Sequence, residues 1–238
     1  MKFSGIHLSQ SLPPIFGRNK DLAVIFPINA QLVGLANKNI EFLKALRIGT
    51  CVVDGQVLLW AVNLRAYLLK LPKFNKLSGS DLIYKVSEEI SKNDKKLLLL
   101  GASEDANAKS VEKLKNTFDL NVVGYSPPFS SFPFPENWVA NVANVIIKEN
   151  PNVIFFAFGA PKQEILINQL YPMLKNLDVE LIMAVGGSLD FLSGTLKRAP
   201  KWVQMAGLEG LYRFIQQPSN MRLRRIMESI LAIRFFFK

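Results

Sequence analysis

FAFGAPKQE at residues 156–164 and AVGGSLDFLSG at residues 184–194 are two versions of one event. In each, an apolar, strand-like run stops at glycine and gives way to a helix-like segment. A third stretch, RAPKWVQMAGLEGLYR at 198–213, comes next with cationic and aromatic residues. Strand-to-helix junctions of this kind leave backbone N–H groups facing a crevice at the carboxyl edge of a sheet. Such an edge suits an anionic ligand such as a diphosphate.

Outward from these junctions the same rhythm recurs. Leu97–Leu100 reads as a strand ending at Gly101, with a helix over Glu104–Thr117. Leu120–Val123 reads as a strand ending at Gly124, followed by a loop at Ser126–Pro135 and a helix over Glu136–Lys148. Val153–Phe158 and Leu181–Val185 are strands ending at Gly159 and at Gly186-Gly187. Upstream, Leu22–Pro27 reads as a buried strand, Asn29–Leu46 as a helix, and Cys51–Val53 as a short strand stopped by Asp54-Gly55. A helix from Gln56 to Leu69, a basic loop over Leu71–Ser78 and a short helix over Asp81–Ile90 complete this half. Apolar strands of four to six residues alternating with helices predict an α/β fold with a mainly parallel sheet covered on both faces. From Lys201 onward the pattern is helical only, over Met205–Gln216 and Asn220–Phe237. The expected division is a domain at 1–205 and a helical appendage at 206–238.

The chain has 238 residues, 49% of them hydrophobic, which is enough for a real core. The net charge is +10 and is unevenly placed: residues 197–238 hold nine Lys or Arg against two Asp or Glu, and residues 1–196 hold twenty against seventeen. A cationic tail favours phosphates, nucleic acid or an anionic lipid surface. In the last predicted helix, Leu223, Ile226, Met227, Ile230, Ile233 and Phe237 share a broad apolar face, with Arg222 and Arg225 on another. Such a helix lies in a membrane interface or packs on its own core. One cysteine, Cys51, excludes an intrachain disulfide and fits a reducing compartment. One histidine, His7, near an N-terminus expected to be flexible, argues against a histidine-rich metal site and a Ser–His triad. No signal peptide and no apolar run of ~20 residues is present, so a cytoplasmic protein is expected.

Asp54 directly follows a strand and precedes glycine. In an open α/β sheet that puts its carboxylate at the ligand-binding edge, where it can act as general base on a hydroxyl; a turn or N-cap aspartate reads the same way. In GAPKQE, Gly159 permits close backbone approach, Lys162 can neutralise a phosphate, and the Gln163 amide suits sugar hydroxyls. Glu164 is an acceptor or a helix N-terminal charge. The bland reading of this segment is an ordinary turn with good first-turn residues. Gly186, Gly187 and Ser188 form a second cradle with Asp190 just inside the next helix, and Gly101, Ala102 and Ser103 a third junction. Neither a dinucleotide fingerprint nor a P-loop is present. Metal-ligand spacing is also missing, so protein cations would stabilise a departing diphosphate. Arg198, Arg213, Arg222, Arg224 and Arg225 are the available guanidinium groups, well matched to phosphate unless they are simply solvated.

Seven segments, INAQ at 28–31, VVDG at 52–55, GSDL at 79–82, GAPKQE at 159–164, VGGSLDFLSG at 185–194, RAPKW at 198–202 and GLEGLYR at 207–213, resemble the WecG/TagA/CpsF glycosyltransferases in order and spacing. The resemblance runs from about Leu22 to Arg225. It implies a Rossmann-like fold and inverting transfer of a sugar from a UDP-sugar to a polyprenyl-diphosphate-linked saccharide, without a metal or other cofactor. It also implies a cationic C-terminal appendage that meets the cytoplasmic leaflet, hence a peripheral protein on the inner face of the cell membrane. Carried over, the base falls on Asp54, the PKQE glutamine on Gln163, and the glycines on Gly186 and Gly187. The tail arginines fall on Arg213, Arg222 and Arg225. Asn29, Gly79, Asp81, Gly101, Gly159, Lys162, Asp190 and Arg198 complete the expected substrate-binding set.

Two positions depart from the family pattern. Pro27 stands where threonine is usual, removing a hydroxyl and an N–H, and Lys76 stands where arginine is usual. These changes fit an altered donor sugar or a weakened or inactive enzyme. A non-catalytic scaffold of a polysaccharide assembly complex and a basic nucleic-acid-binding protein are the rival readings. The second lacks any recognisable nucleic-acid-binding signature, so no nucleic-acid partner is expected. Donor, acceptor, polymer and the presence of a homo-oligomer are not legible.

Overall fold

The computed structural model describes residues 1–16 and 22–236. Eight strands are hydrogen-bonded in the order β1-β2-β4-β3-β8-β7-β5-β6. They are β1 (Lys2–Phe3), β2 (Ile6–Ser9), β3 (Ala23–Ile28), β4 (Thr50–Val53), β5 (Leu97–Gly101), β6 (Val122–Tyr125), β7 (Val153–Ala157) and β8 (Leu181–Ala184). Only the β1–β2 pair is antiparallel among the pairings described. The expected α/β fold with a mainly parallel sheet is the fold observed. The chain forms two compact units: residues 1–12, 27–78 and 196–238 in one, and residues 13–26 and 79–195 in the other.

In the second unit, β5, β7 and β8 read LLLLG, VIFFA and LIMA, and every residue is buried. Continuous burial explains why these runs show no alternation: helices cover both faces of a parallel sheet. The helices of this unit are α4 (Gly79–Lys92), α5 (Glu104–Phe118), α6 (Glu136–Glu149), α7 (Lys162–Leu174) and α8 (Ser188–Leu192). Leu97 pairs with Val153, Val153 with Leu181, and Ala23 with Leu181. One row of residues thus starts four parallel strands together, and their carboxyl ends emerge together. The strand ends expected from the sequence lie within two residues of the observed ones. Gly124 lies inside β6 rather than ending it, because the strand continues to pair through Leu100 with Tyr125. A side chain at Gly124 would sit 1.9 Å from the Asn107 Oδ1. Asn107 is buried and donates to the carbonyls of Leu99 and Gly101.

In the first unit, the N-terminus is ordered, contrary to expectation. β1 and β2 form a hairpin whose turn residues, Ser4 and Gly5, both have positive φ (46° and 84°), as a two-residue turn matching strand twist requires. β2 then pairs in parallel with β4, Leu8 opposite Cys51. The helix expected over Asn29–Leu46 is two helices, α1 (Ala30–Ala36) and α2 (Ile40–Ala45), followed by a 3₁₀ turn at Leu46–Ile48. The break falls where Asn39 starts a new helix by accepting from the Phe42 N–H at 2.9 Å, just as Asn29 caps α1 by accepting from Leu32 at 3.1 Å. Helix α3 runs over Gln56–Leu68.

The tail is α9 (Lys201–Met205), α10 (Glu209–Gln216) and α11 (Asn220–Ala232) with a 3₁₀ turn at Ile233–Phe235. The helix expected over Met205–Gln216 is interrupted at Gly207, whose φ of 74° favours glycine. The predicted terminal helix stops at Ala232. Its end is anchored rather than projecting: α11 packs on α1, Gln31 Nε2 donates to Glu228 Oε2 at 2.9 Å, and the Ser4 hydroxyl donates to the Phe235 carbonyl. Phe235 and Phe236 are buried, the latter with its ring 5.4 Å from Phe3. They are therefore not part of an exposed apolar end, and Phe237 lies outside the described residues. The face formed by Leu223, Met227, Ile230 and Ile233 is nonetheless exposed, Ile230 by 62%.

Gly34 allows the α1–α11 approach, since a Cβ added there would lie 3.0 Å from the Ala232 Cβ. Gly34→Leu is expected to destabilise the protein by ~1–3 kcal/mol through overpacking, read as a lower urea midpoint.

Candidate active site

In the second unit the chain order reverses between β5 and β7. From β5 it passes through α5 to β6 on one side, and from β7 through α7 to β8 on the other. Ligands of open α/β sheets bind outside the carboxyl ends at such a reversal. Here those ends are Gly101-Ala102 and Phe158-Gly159. Gly101 has φ 101°, and a Cβ there would meet the Ala157 carbonyl carbon and oxygen at 3.0 Å. Only glycine lets the two strand ends come this close. The ring of Phe158 joins Phe134 and Trp138, which stack on each other at 4.1 Å.

The two glycine turns at 159 and 186 are joined by a buried side chain. Gln163 Oε1 accepts from the N–H of Gly159 and from the N–H of Gly186, both at 3.1 Å. With its oxygen committed to two donors, its nitrogen must face the other way, and Nε2 donates to Glu164 Oε1 at 2.9 Å. The Gly186 N–H also reaches the Phe156 carbonyl at 3.3 Å. A Cβ on Gly186 (φ 50°) would lie 4.0 Å from the Gly159 Cα, so the turns are neighbours. The structure therefore gives Gln163, expected to orient sugars, an amide engaged at both ends by the protein. The N–H groups of Gly159 and Gly186, expected to face a diphosphate, are likewise engaged.

Glu164 is 1% exposed. Burial pushes its carboxyl up to about 7, against the hydrogen bond from Gln163, which pulls it down. Its second oxygen, Oε2, is buried and has no hydrogen-bond partner among the described residues. The sequence leads one to expect an acceptor or a helix N-terminal charge at Glu164; it does accept, from Gln163, but its burial is not expected. A clue is nonetheless present: Gln163 begins the stripe Leu166, Ile167, Leu170 and Leu174, spaced as the buried face of a helix, and Glu164 stands three residues before Ile167.

Lys162, half-buried, opens α7, and Gly187 precedes α8 with Asp190 in its first turn. A Cβ at Gly187 would approach Asp190 Oδ2 to 3.4 Å. Gly79 is buried at the start of α4, with Asp81 exposed in its first turn.

The remaining expected residues belong to the first unit. Asp54 is half-buried immediately after β4, and its N–H donates to the Ile28 carbonyl at 2.7 Å. That bond lies at the end of β3, which continues through Pro27 to one residue beyond the expected end. Gly55 has φ 83°, and its Cβ position lies 3.5 Å from the Asn29 Cβ, so Asn29 and the Asp54-Gly55 turn are adjacent. The Asn29 oxygen is the α1 cap. Arg213 pairs with Glu209 along α10 at 3.1 Å, Arg222 donates to Gln217 at 2.7 Å, and Arg224 pairs with Glu228 at 2.8 Å. Arg198 precedes α9 and Arg225 lies on α11, both half-buried.

A family model described as the glycosyl transferase WecG/TagA/CpsF family matches residues 3–238. The chain belongs to this family. Its members are glycosyltransferases, and this chain is accordingly a glycosyltransferase of surface polysaccharide synthesis, acting on a sugar donor and an acceptor. Among the described residues no helix is long and apolar enough to cross a membrane.

Because the folded carboxyl of Glu164 titrates above the ordinary carboxylate range, the folded protein binds its proton more tightly than the unfolded chain does. The cost is absent below about pH 4.5, grows as pH rises, and is complete above about 7. Stability is expected to fall across that window by on the order of 3 kcal/mol from this group. Glu164→Gln should flatten that part of the profile in urea titrations at successive pH values.

Proposed function

We propose that the enzyme transfers a hexose, an N-acetylhexosamine or its uronic acid from a UDP-sugar to a polyprenyl-diphosphate-linked saccharide, with inversion and with no metal or other cofactor. The observation that carries this reading is the family match over nearly the whole chain, joined to the carboxyl-edge turns at Gly101, Gly159 and Gly186. The donor belongs at that edge. Lys162 supplies positive charge, and Gly187, Asp190, Gly79 and Asp81 are the other candidates for donor contact on the same unit. Gln163 acts by shaping the turns, since its amide is engaged at both ends.

Asp54 removes the proton from the acceptor hydroxyl. The freed oxygen attacks the anomeric carbon from the face opposite the diphosphate, the C–O bond to the diphosphate breaks, and UDP leaves with the electron pair. Asn29, beside Asp54, positions the acceptor sugar. Arg198, Arg213, Arg222 and Arg225 offset charge on the leaving diphosphate or on the acceptor's own diphosphate. Asp54→Asn is expected to leave UDP affinity unchanged by calorimetry while UDP release in the presence of lipid-linked acceptor falls ~10²–10⁴-fold. Normal turnover in that variant removes Asp54 from the chemistry.

The protein works on the inner face of the cell membrane without spanning it. The support for this is the exposed apolar face of α11, with Arg222, Arg224 and Arg225 on the same helix. Replacing both Met227 and Ile230 with Glu is expected to abolish sedimentation with anionic vesicles at unchanged urea midpoint. These two positions are solvent-facing, so the core is not at stake.

A further inference from the structure

We propose that Glu164 is a positioning residue. Its carboxyl oxygen holds the Gln163 amide nitrogen from the inside of the unit, so that the amide oxygen joins the N–H groups of Gly159 and Gly186 and sets the spacing of the two turns before any ligand arrives. The clasp itself is geometric. Its effect on ligand binding rests on the reading that the donor's UDP lies at this edge.

The chain of contacts runs in one direction. Two backbone donors from different turns converge on one oxygen, at 3.1 Å each. Turned by 180°, the amide would present hydrogens to hydrogens and lose both bonds. What resists that turn is the second end of the amide, held by Glu164 Oε1 at 2.9 Å. Without an acceptor there, a buried NH2 group would be left unsatisfied, and the side chain would do better elsewhere. Gln163 is 4% exposed and Glu164 1%, so water cannot substitute.

A carboxyl is an expensive choice for that place. A buried acid opposes folding through desolvation, and Oε2 gains no hydrogen bond among the described residues in return. Packing alone would be served better by leucine. The carboxyl oxygen is explained by the bond it accepts. The turns it governs come directly after β7 and β8, adjacent parallel strands, and both glycines sit at positive φ (73° and 50°). Backbone in that region has no rigid preference of its own, so a tie from outside the turn is what holds it. Glu164 thereby influences a surface it cannot touch.

Amide hydrogen exchange on the full chain, resolved by residue, tests the clasp directly. In Glu164→Ala, exchange at Gly159 is expected to accelerate roughly fivefold to tenfold, the equivalent of one lost hydrogen bond. Gly186 should accelerate less, because its N–H keeps the Phe156 carbonyl. Phe155 and Ile182 in the strands should exchange as before. Glu164→Gln supplies an amide oxygen in the same place and should restore protection at both turns. UDP affinity should weaken about tenfold in Glu164→Ala and recover in Glu164→Gln.

Unchanged exchange at Gly159 and Gly186 in Glu164→Ala overturns the proposal. So does loosening that spreads equally into β7 and β8, which would mean a purely structural role. Should Glu164→Ala fail to fold, Gln163→Met cuts the same tie from its other end, and unaltered exchange at Gly159 there is equally fatal. If the unaltered protein does not bind UDP, the donor reading fails while the exchange data still decide the clasp.

Discussion

The common starting row of the second unit, Ala23, Leu181, Val153 and Leu97, sets the geometry of its whole carboxyl edge. Parallel strands have no tight turn to fix their register, so register must come from packing. Here four runs without a polar residue are largely buried and begin level with one another. Their carboxyl ends therefore finish level, within a residue or two. Three glycines then appear at the same edge although 85 residues separate the first from the last. Slip any one strand by a residue and its side chains would exchange faces, and its turn would leave the edge.

That edge is not finished by backbone alone. Turns built on glycine are adaptable, and a site that must meet a sugar donor gains from being fixed beforehand. The protein fixes two of them from beneath with a paired amide and carboxyl, at the expense of a buried acid. The arrangement is a local departure from the rule that polar groups stay outside or are fully paired, and such departures concentrate where function is.

Much of this is readable in the sequence, and the misses share a cause. Strand-to-glycine junctions are local: the apolar run, its length and the breaker lie within about ten residues, so β5, β7 and β8 are legible. The N-terminal hairpin is not, because KF and IHLS are too short to carry a period and are held by β4, which is distant in the chain. The segment Asn29–Leu46 reads as one helix because its apolar spacing persists across Asn37-Lys38-Asn39, while the cap that breaks it is a single side chain. The burial of Phe235 and Phe236 is invisible locally because their partners, Phe3 and Ser4, lie at the other end of the chain. The α11 face, defined by its own spacing, is apolar in sequence and exposed in structure. At the site, residue types and order are legible. The burial of Gln163 and Glu164 is not, since it depends on which turns fold over them.

The bond from Ser4 to Phe235 and the ring contact between Phe3 and Phe236 have a consequence for biosynthesis. Residues 1–12 leave the ribosome well before their partners on the 3₁₀ turn, Ser4 being 231 residues ahead of Phe235. The unit made of residues 13–26 and 79–195 has all its strands available well before then. It can consolidate while translation continues, whereas the hairpin of β1 and β2, paired with β4, must wait for the turn at Ile233–Phe235. Maturation of the unit bearing Asp54 is thus timed by the emergence of α11 and the turn after it, and the cell would meet a working enzyme only after that helix has closed over α1.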